Sequence, residues 1–248
     1  MTDSAAIDSE SVSPADHQFI FVACQPASQQ ICKKEIAARL PELALAFSRP
    51  GFLTWKPATP LPPRFNLALT FGRTFGWSEG GFAAGTIEDA AGHLAAWLAD
   101  NKQIQHVHIW HRAWTSDPKR LDQDAQSDVD ALSEAAGHIG DDPLPVNQMT
   151  EPDAHVLDVI RIDNGQWWLG NHVAGATAQR WPGGIPLLRT PQRLISRAWL
   201  KTAEAIAWSG ITISRDEVCA EIGSAPGGSC QRLLELGAKQ VLAIDPAD

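Results

Sequence analysis

No stretch of this 248-residue sequence approaches the ~18–20 consecutive apolar residues of a bilayer span, which excludes a membrane-spanning helix. The N-terminus, MTDSAAIDSESVSPADHQ, is acidic and lacks an apolar h-region, which excludes a secretory signal. Cysteine is scarce. Cys24, Cys32, Cys219 and Cys230 form no CxxC pair and lie in two separated places. This argues against a zinc site or a disulfide framework and fits reduced thiols in a cytoplasm. No internal repeat is visible. What is present is ordinary globular material: 44% hydrophobic and 20% charged residues, enough for a sizeable core in one or two domains.

The net charge of -9 speaks against nucleic acid only until its distribution is read. Residues 1–17 carry four acids and no base, and read as a disordered acidic tail. Residues 117–153 carry ten acids against Lys119 and Arg120. The rest of the chain is therefore positive, at +3. From Arg180 to Lys201 there is no acid at all, and Arg180, Arg189, Arg193, Arg197 and Lys201 make a stretch able to contact phosphates. On charge alone the same stretch also reads as a solvated basic face.

The hydrophobic pattern predicts an α/β chain. Gln18–Cys24 reads as a buried strand, followed by a helix with Ile31, Ile36 and Leu40 on one face and Ser28 as its cap. Two short strands are expected in Leu43–Trp55, broken at Arg49-Pro50-Gly51, with strand character resuming over Phe65–Phe75. Thr86–Asp100 is expected to be a capped helix and Gln103–Trp110 a strand. Residues 115–153 read as a long acidic loop with one helix near Val129–Ala136. Asp163-Asn164-Gly165 joins two strands, Ala154–Ile162 and Gln166–His172, as a hairpin. Residues 180–192 read as a Pro/Gly linker. Beyond it come a helix over Leu194–Ile206, a short buried strand at Glu217–Ile222, a glycine-rich turn, a helix, and an apolar strand running into Asp245. That order opens a doubly wound α/β domain.

The loop Gly223-Ser224-Ala225-Pro226-Gly227-Gly228 is the sharpest motif. Its glycines allow close backbone approach and positive φ. The following helix start offers N–H groups to a carboxylate. Asp245, at the tip of the second strand, is placed to accept bonds from ribose hydroxyls. No Gly-Lys-Ser/Thr follows, so it is no Walker A loop, and the spacing is not GxGxxG. S-adenosylmethionine fits better, being a nucleoside with a carboxylate and no phosphates. The plain alternative is a structural turn.

With Ser196-Arg197-Ala198-Trp199-Leu200-Lys201 ahead of it, the GSAPGG loop resembles the FtsJ-type ribose 2'-O-methyltransferases, where an SR-x-x-x-K helix precedes a G-x-x-P-G-G cofactor loop. The early strand ending in Cys24, the helix with Cys32 and Glu35-Ile36, the hairpin and the linker are similar to the RlmM-like branch of that family, which methylates large-subunit rRNA and carries a THUMP-like region before its catalytic domain. The resemblance implies an α+β THUMP-like RNA-binding region over 18–179 and the start of a Rossmann-like methyltransferase domain over 193–248. It implies S-adenosylmethionine against Gly223, Ser224, Ala225, Pro226, Gly227, Gly228 and Asp245; the basic stretch is expected to contact RNA through Arg189, Arg193 and Arg197. The resemblance makes Lys201 the first lysine of a Lys-Asp-Lys-Glu tetrad. A ribose 2'-hydroxyl is a poor nucleophile, and a lysine can orient it and help remove its proton. The tetrad's other members and the remaining strands are not found before residue 248. The expectation is a C-terminally truncated enzyme that does not methylate by itself. The alternative is a noncatalytic THUMP-type RNA-binding module with a vestigial methyltransferase stub.

Two other groups of residues invite function. His106, His108 and His111 suggest a metal, but no Cys or acid lies nearby in sequence, and a half-buried strand edge explains them more simply. Trp110, Trp114, Trp167 and Trp168 are able to stack on unpaired bases, though such residues more often fill a core, and Trp199 reads as packing.

Overall fold

A computed structural model describes residues 18–113, 122–175 and 177–246. The acidic tail and Trp114 lie outside them.

Nine strands and five α-helices are described: β1 (Ile20–Cys24), α1 (Gln29–Arg39), β2 (Leu43–Arg49), β3 (Phe52–Pro57), β4 (Gly72–Ala83), α2 (Ile87–Asp100), β5 (His106–His111), α3 (Gln123–Ala136), β6 (His155–Asp163), β7 (Gln166–Val173), α4 (Ala198–Ser209), β8 (Val218–Ile222), α5 (Gly228–Glu235) and β9 (Gln240–Ile244). Seven strands form one sheet in the order β2-β3-β1-β4-β7-β6-β5, while β8 and β9 pair by themselves. The large sheet is antiparallel except for β5 and β6, which run parallel across the α3 crossover.

Strand alternation divides the large sheet's side chains between two faces. Val107, Ile109, Leu157, Val159, Trp167 and Leu169 pack with α2 and α3, and Ile20, Val22, Leu53, Trp55 and Phe75 pack with α1. The opposite face carries Phe21, Ala23, Phe52, Trp110, Ile160 and Ile162. Each fully buried side chain of this size contributes ~1.5–3 kcal/mol. Local chemistry sets the ends of the elements. Thr86 accepts from the Asp89 amide while Asp89 accepts from the Thr86 amide, both at 3.1 Å, a capping box for α2. The hairpin after β6 turns through Gly165 at φ +65°.

Several expectations need correction. Ser28 occupies the cap position of α1 but makes no side-chain cap bond. Ile31 is exposed, and Cys32 with Ile36 forms the buried stripe instead. Phe65–Phe75 is not one strand. Ala68 takes φ +48°, which breaks extended backbone, and β4 starts only at Gly72. The acidic stretch is less loop-like than expected: α3 spans 14 residues, capped by Asp122 and burying Ala125, Val129, Leu132 and Ala136. The expected linker is packed at its start. Pro182, Gly183, Gly184 and Ile185 are buried, and a Cβ at Gly183 would sit 3.0 Å from the Trp110 ring. The helix expected at Leu194 begins at Ala198. β8, expected to be buried, exposes Val218 and Ile222: α5 covers the face of Cys219 and Glu221, and no layer among the described residues lies over the other.

The candidate cofactor loop and its supporting helices

The loop after β8 is pinned to the end of β9. The Gly223 and Ser224 amides donate to the Ile244 carbonyl at 2.8 and 3.2 Å, and the Ala225 amide donates to Asp245 Oδ2 at 2.7 Å. Gly227 N–H closes the turn on Ser224 O at 2.6 Å. Asp245 therefore shapes the loop, whatever else it contacts. Gly223 and Gly227 take φ +82° and +102°, and no heavy atom lies within 4 Å of where their Cβ atoms would be. Two glycines with positive φ above open space, at the start of an eight-residue helix, leave room and amide donors for a ligand. The residues thus fit a nucleoside cofactor with a carboxylate, where a side chain at Gly227 would fill the space.

Gly228 is glycine for a different reason. A Cβ there would meet Ser196 Oγ at 2.2 Å and the Trp199 amide nitrogen at 3.0 Å. The loop's last residue is therefore clamped against the start of α4. Further bonds hold α4 and the residues just before it to α5. Thr202 Oγ1 donates to Ser229 Oγ at 2.9 Å, and Trp199 Nε1 donates to Glu235 Oε2 at 2.7 Å. Gln231 Nε2 donates to the Arg193 carbonyl at 3.0 Å, and Gln231 Oε1 accepts from the Ile195 amide at 3.1 Å. The Arg232 guanidinium lies 4.9 Å over the Trp199 ring. Lys201 is exposed, one residue before the Thr202 that touches α5. Sequence reasoning singled out Lys201 and the loop but missed Thr202, Ser229 and Gln231, whose partners lie 27 to 38 residues away. The only available signal was their adjacency to motif residues.

Arg189, Arg193 and Arg197 are all exposed. Arg180 differs: its Nε donates to the Thr150 carbonyl at 2.6 Å and its guanidinium pairs with Glu151 at 3.7 Å, so it serves the body of the fold. Among the tryptophans, Trp110, Trp167 and Trp199 are buried, and Trp168 is half-buried against Phe47 and Phe52. His108 is buried with Nε2 at 3.1 Å from the Gln148 carbonyl. Among the described residues, no group of three or more His, Cys, Asp or Glu is arranged to hold a metal, and no helix is long and apolar enough to cross a membrane.

Residues 194–248, which hold α4, the loop and β8–α5–β9, match the model of the FtsJ-like methyltransferase family. This segment is similar to the FtsJ-like methyltransferases. A stretch of 104 residues, 40% of the chain, is 35% identical to the ribosomal RNA large subunit methyltransferase M of Azoarcus sp. (strain BH72). The matched portion spans 28% of that relative's length. Among solved structures, a possible methylase from Clostridium difficile 630 superposes with a TM-score of 0.40 at 14% identity, covering 89% of this chain and 55% of that one. TrmN from Thermus thermophilus superposes with a TM-score of 0.35 at 16% identity, covering 92% and 65%.

Proposed function

We propose that the chain is part of an S-adenosylmethionine-dependent 2'-O-ribose methyltransferase that acts on large-subunit ribosomal RNA in the cytoplasm. The observation that carries this reading is the loop of the FtsJ-like segment, pinned by Asp245, with open space above Gly223 and Gly227. Gly223, Ser224, Ala225, Pro226, Gly227, Gly228 and Asp245 would hold the cofactor, which supplies an electrophilic methyl group when bound. Lys201 would orient the ribose 2'-hydroxyl and ease removal of its proton, with α4 set against α5 by the Thr202–Ser229 bond. The similarity to the Azoarcus enzyme supports the rRNA substrate. Joined to the corresponding C-terminal part of that relative, the chain is expected to bind S-adenosylmethionine by calorimetry and to transfer tritiated methyl groups to undermodified rRNA. Gly227→Val should abolish binding, since a β-branched residue resists φ +102° and fills the open space. Lys201→Ala should abolish transfer and spare binding. Normal cofactor affinity in Gly227→Val would reduce the loop to a turn.

A second reading, a noncatalytic RNA-binding module of THUMP type, is favoured by the three exposed arginines between the body and α4. Both readings place RNA against Arg189, Arg193 and Arg197. Changing all three to Glu should weaken binding of the 248-residue chain to an rRNA fragment and flatten its salt dependence. An unchanged salt slope would remove these residues from the interface. RNA binding with no transfer in the joined protein would favour the second reading.

A further inference from the structure

The basic stretch is anchored at both ends. At its start the chain is buried in the body from Pro182 to Pro186. Just before that, Gln179 is 3% exposed. It donates from Nε2 to the Phe75 carbonyl at 3.0 Å and accepts from the Gly175 amide at 3.2 Å, while its own carbonyl lies 2.8 Å from His172 Nε2. Further on, Leu188 and Leu194 pack against Trp199, Leu200 and Ala203, and their neighbours Arg189 and Arg193 are exposed. Pro186 and Pro191 fix φ along the way. At the far end the chain is gripped by Gln231 of α5. Its Nε2 donates to the Arg193 carbonyl at 3.0 Å and to Glu235 Oε1 at 2.9 Å, and its Oε1 accepts from the Ile195 amide at 3.1 Å. One side-chain amide thus uses both of its donors and an acceptor, and holds the backbone on either side of Leu194. The helix that carries it starts at Gly228, the last residue of the loop.

We propose that Gln231 is a positioning residue for RNA: it holds residues 193–195 on α5, so that Arg193 and Arg197 meet RNA already ordered and in fixed register with the loop at the start of that helix. The inference rests on the reading of Arg189, Arg193 and Arg197 as RNA contacts. Gln231 acts through the backbone beside those arginines and adds no charge. A segment ordered before binding loses less conformational freedom when RNA arrives. Releasing it leaves every arginine in the chain but makes RNA immobilise them, which should cost about three- to tenfold in affinity. Salt separates the two roles. The number of phosphates neutralised sets how steeply affinity falls with salt. Removing an arginine flattens that dependence, whereas releasing the segment weakens binding and keeps the slope.

The test titrates the 248-residue chain with a fluorescein-labelled rRNA fragment over a range of salt, beside Gln231→Met. Methionine keeps the side chain's length and suits a helix, but it cannot donate to Arg193 or accept from Ile195 as the amide does. The variant is expected to bind about three- to tenfold more weakly at each salt concentration, with the native slope, and to exchange its Ile195 amide hydrogen faster. Native affinity in Gln231→Met would overturn the proposal. So would a flattened slope, which would make Gln231 a determinant of how many phosphates are met. Weaker binding with Ile195 exchange unchanged would overturn it too, because Gln231 would then be touching the RNA itself. If the native chain does not bind RNA, or binds with a slope that the Arg189, Arg193 and Arg197 changes leave alone, the underlying reading falls and the proposal with it. That result is distinct from a native chain that binds through those arginines and a variant that matches it. Should Gln231→Met disturb α5, Gln231→Ala repeats the measurement with the strongest helix former.

Discussion

The seven-stranded body and the FtsJ-like segment both build sheets from apolar strands, but among the described residues only the body covers both faces. In the body, Ile20, Phe21, Val22, Ile109, Trp110, Leu157 and Ile160 are almost completely buried, between helices on one face and aromatic packing on the other. In the segment, Val218 is 54% exposed, Ile222 83% and Ile244 52%. Its buried apolar cluster is confined to Trp199, Leu200 and Ala203 on α4, with Leu188 and Leu194 beside them. Parallel strands normally have both faces covered. The contrast teaches that the segment's order comes from polar pins (Asp245 on Ala225, Thr202 on Ser229, Gln231 on Arg193) more than from a core of its own.

The largest expected effect lies in the body. Trp110 is fully buried, packs near Gly183, and donates from Nε1 to Asp158 Oδ1 at 2.8 Å. Trp110→Ala removes the ring, opens a cavity and strips one partner from a buried carboxylate. The expected cost is about 3–5 kcal/mol in urea denaturation. A loss below about 1 kcal/mol would mean that the second face of the sheet is not the core it looks like.

A pH effect comes next, and it also belongs to the body. Burial lowers both His108 and His111 to about 4, while the unfolded chain binds protons at these residues nearer 6.5. As pH falls from 6.5 towards 4 the unfolded state gains protons that the folded state refuses, so stability is lost on the acid side. His172 acts the other way. Its Nδ1 lies 2.6 Å from Asp158 Oδ2 and its Nε2 lies 2.8 Å from the Gln179 carbonyl, so both ring nitrogens face acceptors, an arrangement that favours the charged ring. Burial pulls its pKa down, but the Asp158 charge and these hydrogen bonds outweigh it and raise it. Its contribution is complete below 6.5 and disappears as pH rises through the raised value. Melting temperature against pH should therefore fall on both sides. His108→Gln should flatten the acid limb and His172→Gln the alkaline limb. Unchanged limbs in both variants would detach these histidines from stability.

The same contrast explains what was legible in the sequence. The glycine loop, the Asn164-Gly165 hairpin and the Thr86 cap are local devices, written within a few residues, and they were read. The expected strand over Phe65–Phe75 fails, because Leu67 and Phe75 are buried without sharing one strand, and φ +48° at Ala68 leaves no trace in the pattern. The 180–192 stretch looked like a tether because Pro and Gly punctuate tethers; that Gly183 and Gly184 lie against Trp110 and Arg73 depends on tertiary packing. In the candidate site, the loop could be named from its glycine pattern and Lys201 only from the resemblance to the FtsJ-type motif. The polar pins between α4 and α5 join residues too far apart to have any local signature.

The smallest expected effect tests the exposed side of the comparison. Covering an isoleucine is worth about 1.5–3 kcal/mol, but Ile222 at 83% exposure collects little of that. Threonine keeps the β-branch that suits a strand and replaces a methyl-bearing carbon with a hydroxyl that water can solvate. Ile222→Thr should therefore change stability by no more than about 0.5 kcal/mol, with amide exchange in β1, β6 and β7 unaltered. A loss above about 1.5 kcal/mol would mean that β8 is covered in solution, by a second copy or by further polypeptide. Dilution separates those two, since a stability difference that fades as protein concentration falls belongs to a second copy. Either result would end the contrast between a covered body and an uncovered segment.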